Sequence, residues 1–154
     1  MKLNTDVTGT NFNNHAFHSE KDAISLEKKA QDLIHSLTKS FLQEANLSLL
    51  HMQQILNDTS FLKESEKTRV IQSIFFQAAH DLKGQGTTYG YPLVTKIASH
   101  ICSKIKKQKI YSNEDIFSFK KDVSNMIEVL QMQPNQKNLK LETHILKQLE
   151  CDNE

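Results

Sequence analysis

The 154-residue chain has only four glycines, two prolines and two cysteines, and each scarcity removes a class of structure. Cys102 and Cys151 cannot build a disulfide framework. Cys102 stands among Ile97, Ala98, Ile101 and Ile105, and it is expected to be a small buried apolar residue. No run of about 18 apolar residues exists, so no transmembrane helix is expected. The amino terminus, Met1-Lys2-Leu3-Asn4-Thr5-Asp6, enters polar residues without an apolar secretory segment, which makes a cytoplasmic location the expectation. An excess of charge is missing too: 19 Lys and Arg against 18 Asp and Glu leave +1. That balance argues against a nucleic-acid footprint and against an electrostatic membrane anchor. No segment alternates apolar and polar residues as a half-buried strand would.

What is present is helical periodicity. Residues 1–20 are rich in Asn, Thr and His, lack an apolar repeat and read as a flexible leader. From Asp22 to Asn57 no Gly or Pro intervenes, and Leu26, Ala30, Leu33, Leu37, Phe41, Ala45, Leu49, Met52 and Leu56 recur at three- and four-residue steps. This is one long helix, or two nearly continuous ones bent near Thr38 to Ser40. Asp58-Thr59-Ser60 signals a turn, and a second helix is expected from Lys63 or Ser65 to Gly84. Gly84, Gly86, Gly90 and Pro92 make the next turn. A third helix places Leu93, Val94, Ile97, Ala98, Ile101 and Ile105 on one side, with Lys96, His100, Ser103 and Lys107 on the other. Ser112-Asn113-Glu114-Asp115 reads as an amino-terminal cap with an acidic first turn. The fourth helix carries Ile116, Phe119, Val123, Met126, Ile127 and Leu130 and stops before Pro134. The tail, 134–154, holds a short amphipathic stretch from Leu139 to Leu149. Short connections favour antiparallel neighbours. The expected architecture is therefore all-α: an up-down-up-down antiparallel four-helix bundle over 21–133, with an N-terminal helical extension and a short C-terminal helix.

Three of the four glycines follow His80 within ten residues. On a helix turning about 100° per residue, Ile71, Ile74, Phe75, Ala78 and Leu82 share one sector, and His80 falls almost opposite its centre. Residues three and four apart are neighbours on a helix surface. Around His80 these are Phe76, with Ser73 a turn further back, and Lys83, Gly84 and then Thr87. Lys83 places a cation where it could meet a phosphoryl group. Gly84 removes a side chain that would obstruct a partner, at a cost of about 0.8–1 kcal/mol against alanine inside a helix. Phe76 is a large apolar group away from the core stripe, suited to docking. Neutral imidazole is a good nucleophile near neutral pH. The plainer alternatives are a solvated histidine, a surface lysine and glycines that simply end the helix.

The string His80-Asp81-Leu82-Lys83-Gly84 resembles the His-x-x-Lys-Gly signature of histidine-containing phosphotransfer (HPt) domains. The resemblance runs on through Gln85-Gly86-Thr87-Thr88-Tyr89-Gly90 and covers roughly Asp22 to Gln131. It implies a phosphoryl carrier in a multistep phosphorelay of two-component signalling. His80 would accept a phosphoryl group from a receiver-domain aspartate and pass it to another, with Lys83 on the phosphoryl oxygens and Gly84 opening room around the ring. Gln85 and Gly86 depart from the small residues, often serine, found there in the family; Gln85 retains a hydrogen-bond donor. The implied partners are response-regulator receiver domains, with a hybrid sensor kinase as a further candidate. The chain would act as a monomer and need no cofactor of its own, Mg²⁺ belonging to the receiver. Asp81 projects about 100° away from His80 and is given no direct role.

His80-Asp81-Leu82 also resembles the phosphoacceptor box of dimeric sensor kinases, but no ATP-binding motif follows Gly90. The alternative from another class is a noncatalytic helical adaptor that binds a receiver or another domain through the Phe76 face. A metal site is not expected, because His15, His18, His35, His51, His100 and His144 are scattered. The basic run Lys104, Lys106, Lys107 and Lys109 spreads around its helix and reads as a solvated helix end.

Overall fold

The computed structural model describes residues 20–151; the expected leader lies outside them except at Glu20. Among the described residues every regular element is helical and there is no strand. Helix α1 is a single element over Glu20–Asp58, the first of the two alternatives the sequence allows. A single 3₁₀ turn, Thr59–Phe61, leads to α2 (Glu64–Val70), a π-helical turn (Ile71–Phe75) and α3 (Phe76–Gln85). Then come α4 (Pro92–Lys107), α5 (Asn113–Leu130) and α6 (Leu139–Cys151). No helix among the described residues is long and apolar enough to cross a membrane.

The chain divides into two compact units between Leu37 and Thr38. In the first, the helical stretch 20–37 exposes Ile24, Leu26, Leu33, Ile34 and Leu37. The apolar repeat expected to be buried along all of α1 is therefore buried only from Phe41 onward, at Ala45, Leu49, Met52 and Leu56. Periodicity identifies a face; a packing partner decides whether that face is covered.

In the second unit the core gathers Phe41, Leu49 and Met52 of α1 with Ile71, Phe75, Ala79 and Leu82. It is completed by Ile97 and Ile101 of α4, Phe119, Val123 and Met126 of α5, and Ile145 and Leu149 of α6. The tail helix thus docks. Pairs along the helices fix their directions. The Lys83 carbonyl meets Thr95 near the start of α4, while Phe76 meets Lys106 near its end, so α3 and α4 run antiparallel. By the same logic His100 opposite Asp122 and Lys104 opposite Ser118 set α4 and α5 antiparallel.

Local chemistry explains the helix starts and the tight turn. Pro92 opens α4 at a position whose N–H would have no helical acceptor. Ser112 caps α5: its hydroxyl accepts from the Asp115 N–H at 3.2 Å, and the Asp115 carboxylate accepts from the Ser112 N–H at 2.8 Å. Gly90 takes φ +87°, where a side chain is strained. Gly86 answers a different need. A Cβ there would come within 2.6 Å of Thr95 Oγ1 and 3.0 Å of the Tyr91 carbonyl oxygen, so its missing side chain lets the end of α3 close onto α4.

Candidate functional site

His80 stands on α3 with its side chain 60% exposed. That helix is anchored by Ala79 and Leu82, with Phe75 at the end of the preceding π turn, all buried. The stripe differs in detail from the sequence expectation: Ile74 is 48% exposed, and Ala79 is buried where Ala78 is only half-buried. For Ile74 the cause is the π turn over Ile71–Phe75. Bonding to the fifth residue rather than the fourth turns the chain less per residue, so positions before it drift from a uniform 100° wheel. His80 lies beyond the π turn and still faces away from Phe75.

Phe76 is half-buried, and its ring centre lies 6.0 Å from that of His80. Lys83 is exposed one turn beyond His80 on the same side. At Gly84 an added Cβ would meet nothing within 4 Å, which leaves open space beside the imidazole. Asp81 Oδ1 is 3.8 Å from His80 Nδ1, too long for a hydrogen bond, and that oxygen accepts instead from Gln77 Nε2 at 2.8 Å. The other predicted residues lie apart. Gln85 lines a cavity of about 110 Å³ with Phe41, Ala45 and Leu82, on the side of α3 facing α1. Ser73 belongs to the π turn and donates to the Arg69 carbonyl at 2.6 Å. Thr87 is exposed, and both its N–H (2.8 Å) and its hydroxyl (3.0 Å) engage Thr95 Oγ1. These contacts use Thr87 to close the α3–α4 turn.

Three side chains of α4 make contacts beyond their sequence readings. Lys106 is exposed in the last turn of α4, as expected, and its Nζ also sits 5.6 Å from the Phe76 ring centre. Burial raises the Cys102 thiol, and the charges of Lys83 and Lys106 both pull it back. Lys104 is likewise engaged, donating to Ser118 Oγ at 3.0 Å. His100, expected on a polar face, is buried. Its Nδ1 lies 3.2 Å from Asp122 Oδ2, and its Nε2 is buried without a hydrogen-bond partner among the described residues. Helix α5 supplies both the cover and the carboxylate, which periodicity within α4 could not reveal.

The His80 face sets an aromatic ring, an exposed lysine and a bare glycine around one imidazole, with Lys106 against the ring of Phe76. No group of three His, Cys, Asp or Glu that could hold a metal stands together among the described residues. Chemically the arrangement offers a nucleophilic ring nitrogen, positive charge for an anionic group arriving at it, and a flat apolar rim. Compared with family models, with curated proteins and with solved structures, the chain matches none.

Proposed function

We propose that the chain is a histidine phosphotransfer protein whose helices from α1 to α5 form an antiparallel four-helix bundle carrying His80 as phosphoacceptor. The observation that carries this reading is the placement of His80: solvent-facing on a helix anchored in the core, with Lys83 beside it and open space at Gly84. A phosphoryl carrier needs that geometry, because the donor is itself a folded domain that must bring its aspartate to the ring. The antiparallel order α3–α4–α5 and the short connections support the bundle.

In the transfer, His80 Nε2 attacks phosphorus in line with the departing aspartate oxygen. The N–P bond forms, the P–O bond breaks, and the receiver carboxylate leaves with the bonding pair. The ring keeps its proton on Nδ1 and gains positive charge. Lys83 stabilises charge on the phosphoryl oxygens, and Phe76 supplies apolar area for docking. Return to a second receiver reverses these steps.

The test is incubation of the chain with a phosphorylated receiver. Acid-labile, base-stable label on the chain, lost in His80→Gln, is the expected result. A stable complex with no transfer would instead favour an adaptor acting through the Phe76 face.

A further inference from the structure

Lys106 reaches the His80 face from α4, and its surroundings are those of a cation held in reserve. It is exposed and rests 5.6 Å from the Phe76 ring centre. That ring packs partly against the core, and the imidazole lies 6.0 Å from it between centres. No carboxylate lies within ion-pair distance of Lys106 among the described residues. Lys83, exposed one turn beyond His80, flanks the site from α3. We propose that Lys106 is a second phosphoryl-binding cation: it rests on Phe76 while His80 is bare, moves to the phosphoryl oxygens once Nε2 is phosphorylated, and prolongs the life of the phosphohistidine. This inference rests on the phosphotransfer reading of His80.

The move follows from the relative strength of the two contacts. An exposed cation–π contact is weak, and a charge-assisted hydrogen bond to a dianionic phosphoryl group is stronger. Phosphorylation places such a group beside the ring on which Lys106 already rests, and a lysine stem is long and flexible enough to follow.

The direction of the effect on lifetime also follows. Hydrolysis forms a bond from water oxygen to phosphorus and breaks N–P, with the electron pair returning to the ring nitrogen. Its transition state is loose and metaphosphate-like, so the phosphoryl oxygens carry less charge there than in the phosphohistidine. A cation on those oxygens stabilises the starting state more than the transition state. It also disfavours the protonated ring that leaves most readily. Both effects slow loss to water. During transfer the phosphoryl group enters the receiver's own site, where the receiver supplies the charge instead.

The experiment uses phosphoramidate as a small-molecule donor on the full chain, so that labelling needs no receiver. Phosphohistidine at His80 is taken as the label lost in His80→Gln, and its decay is followed in wild type, Lys106→Met, Lys106→Arg and Phe76→Leu. Lys106→Met is expected to shorten the lifetime about fivefold or more while leaving the melting temperature unchanged. Lys106→Arg restores most of the lifetime, and Phe76→Leu does not shorten it, because removing the resting place leaves the cation free to reach phosphate. Wild-type decay in Lys106→Met, or a shortened lifetime in Lys106→Arg equal to that of Lys106→Met, overturns the proposal. A wild-type chain labelled at His80 that exchanges phosphate with no receiver refutes the relay, while the Lys106 comparison still decides the cation's role. A chain that never gains phosphate at His80 overturns both.

Discussion

Gly84 and Gly86 lie two residues apart at the end of α3, yet replacing each with alanine should move stability in opposite directions. At Gly84 an added methyl meets nothing within 4 Å, and the helix gains up to about 1 kcal/mol from the better helix former. At Gly86 the same methyl would lie 2.6 Å from Thr95 Oγ1 and 3.0 Å from both the Thr95 nitrogen and the Tyr91 carbonyl oxygen. Two of those atoms are backbone and cannot turn aside. The third accepts from the Thr87 N–H and hydroxyl and donates to the Lys83 carbonyl, so moving it disrupts three bonds. Overpacking of this kind costs about 1–3 kcal/mol, more than the gain in helix propensity. In a domain of this size each kcal/mol moves the melting temperature by about 2–4 °C. The assay is thermal and urea unfolding followed by near-ultraviolet circular dichroism, since Tyr89, Tyr91 and Tyr111 all report on the unit beginning at Thr38. Gly84→Ala should melt a few degrees above wild type and Gly86→Ala several degrees below it. A Gly86→Ala protein as stable as wild type would refute the close approach of α3 to α4. A large loss in Gly84→Ala would show that the space beside His80 is filled.

Other consequences follow from the buried polar groups. Asp122→Ala should cost about 1.5–3 kcal/mol, the range for a hydrogen bond to a charged group, and urea titration of Asp122→Ala against a double variant with His100→Phe would check it. If the pair interacts as the 3.2 Å contact indicates, the double variant costs less than the two single variants added together. Burial raises the Asp115 carboxyl, but hydrogen bonds from Ser112 and Gln108 and the charge of Lys104 outweigh it, and the net direction is down. A folded pKa below the unfolded value means that this stabilisation is whole above the unfolded carboxylate range near 3.9. It is lost as pH falls through the depressed folded value. Asp115→Ala should therefore cost about 1 kcal/mol at neutral pH and progressively less in acid, measured by urea midpoints between pH 6 and pH 2. A penalty independent of pH would remove the carboxylate from the cap.

The helices were legible in the sequence because their apolar repeats, caps and breakers agree. Ser112 with Asp115, Pro92 at the start of α4 and the stop before Pro134 each carry a local signal that does not depend on the rest of the fold. Coverage was less legible. Leu26, Leu33 and Leu37 continue the repeat of Phe41 and Ala45 but are exposed, since a repeat does not say where a partner helix ends. The π turn was invisible to a wheel of fixed pitch and displaced Ile74 and Ser73. For the candidate site, the outward face of His80 followed from the stripe on its own helix. Lys106 did not, because its place beside Phe76 depends on how α4 is rotated against α3. His100 was misread for the same reason, with Asp122 arriving from α5.

The central claim is that one imidazole, His80, accepts phosphate from a visiting domain. The most direct measurement offers the wild-type chain to a panel of phosphorylated receivers and maps the bound phosphate by mass spectrometry under alkaline conditions. Phosphate confined to the peptide that contains His80, approaching one group per chain and chased off by an unphosphorylated second receiver, is the expected result. Phosphate on a different histidine, or none from any receiver, would contradict it.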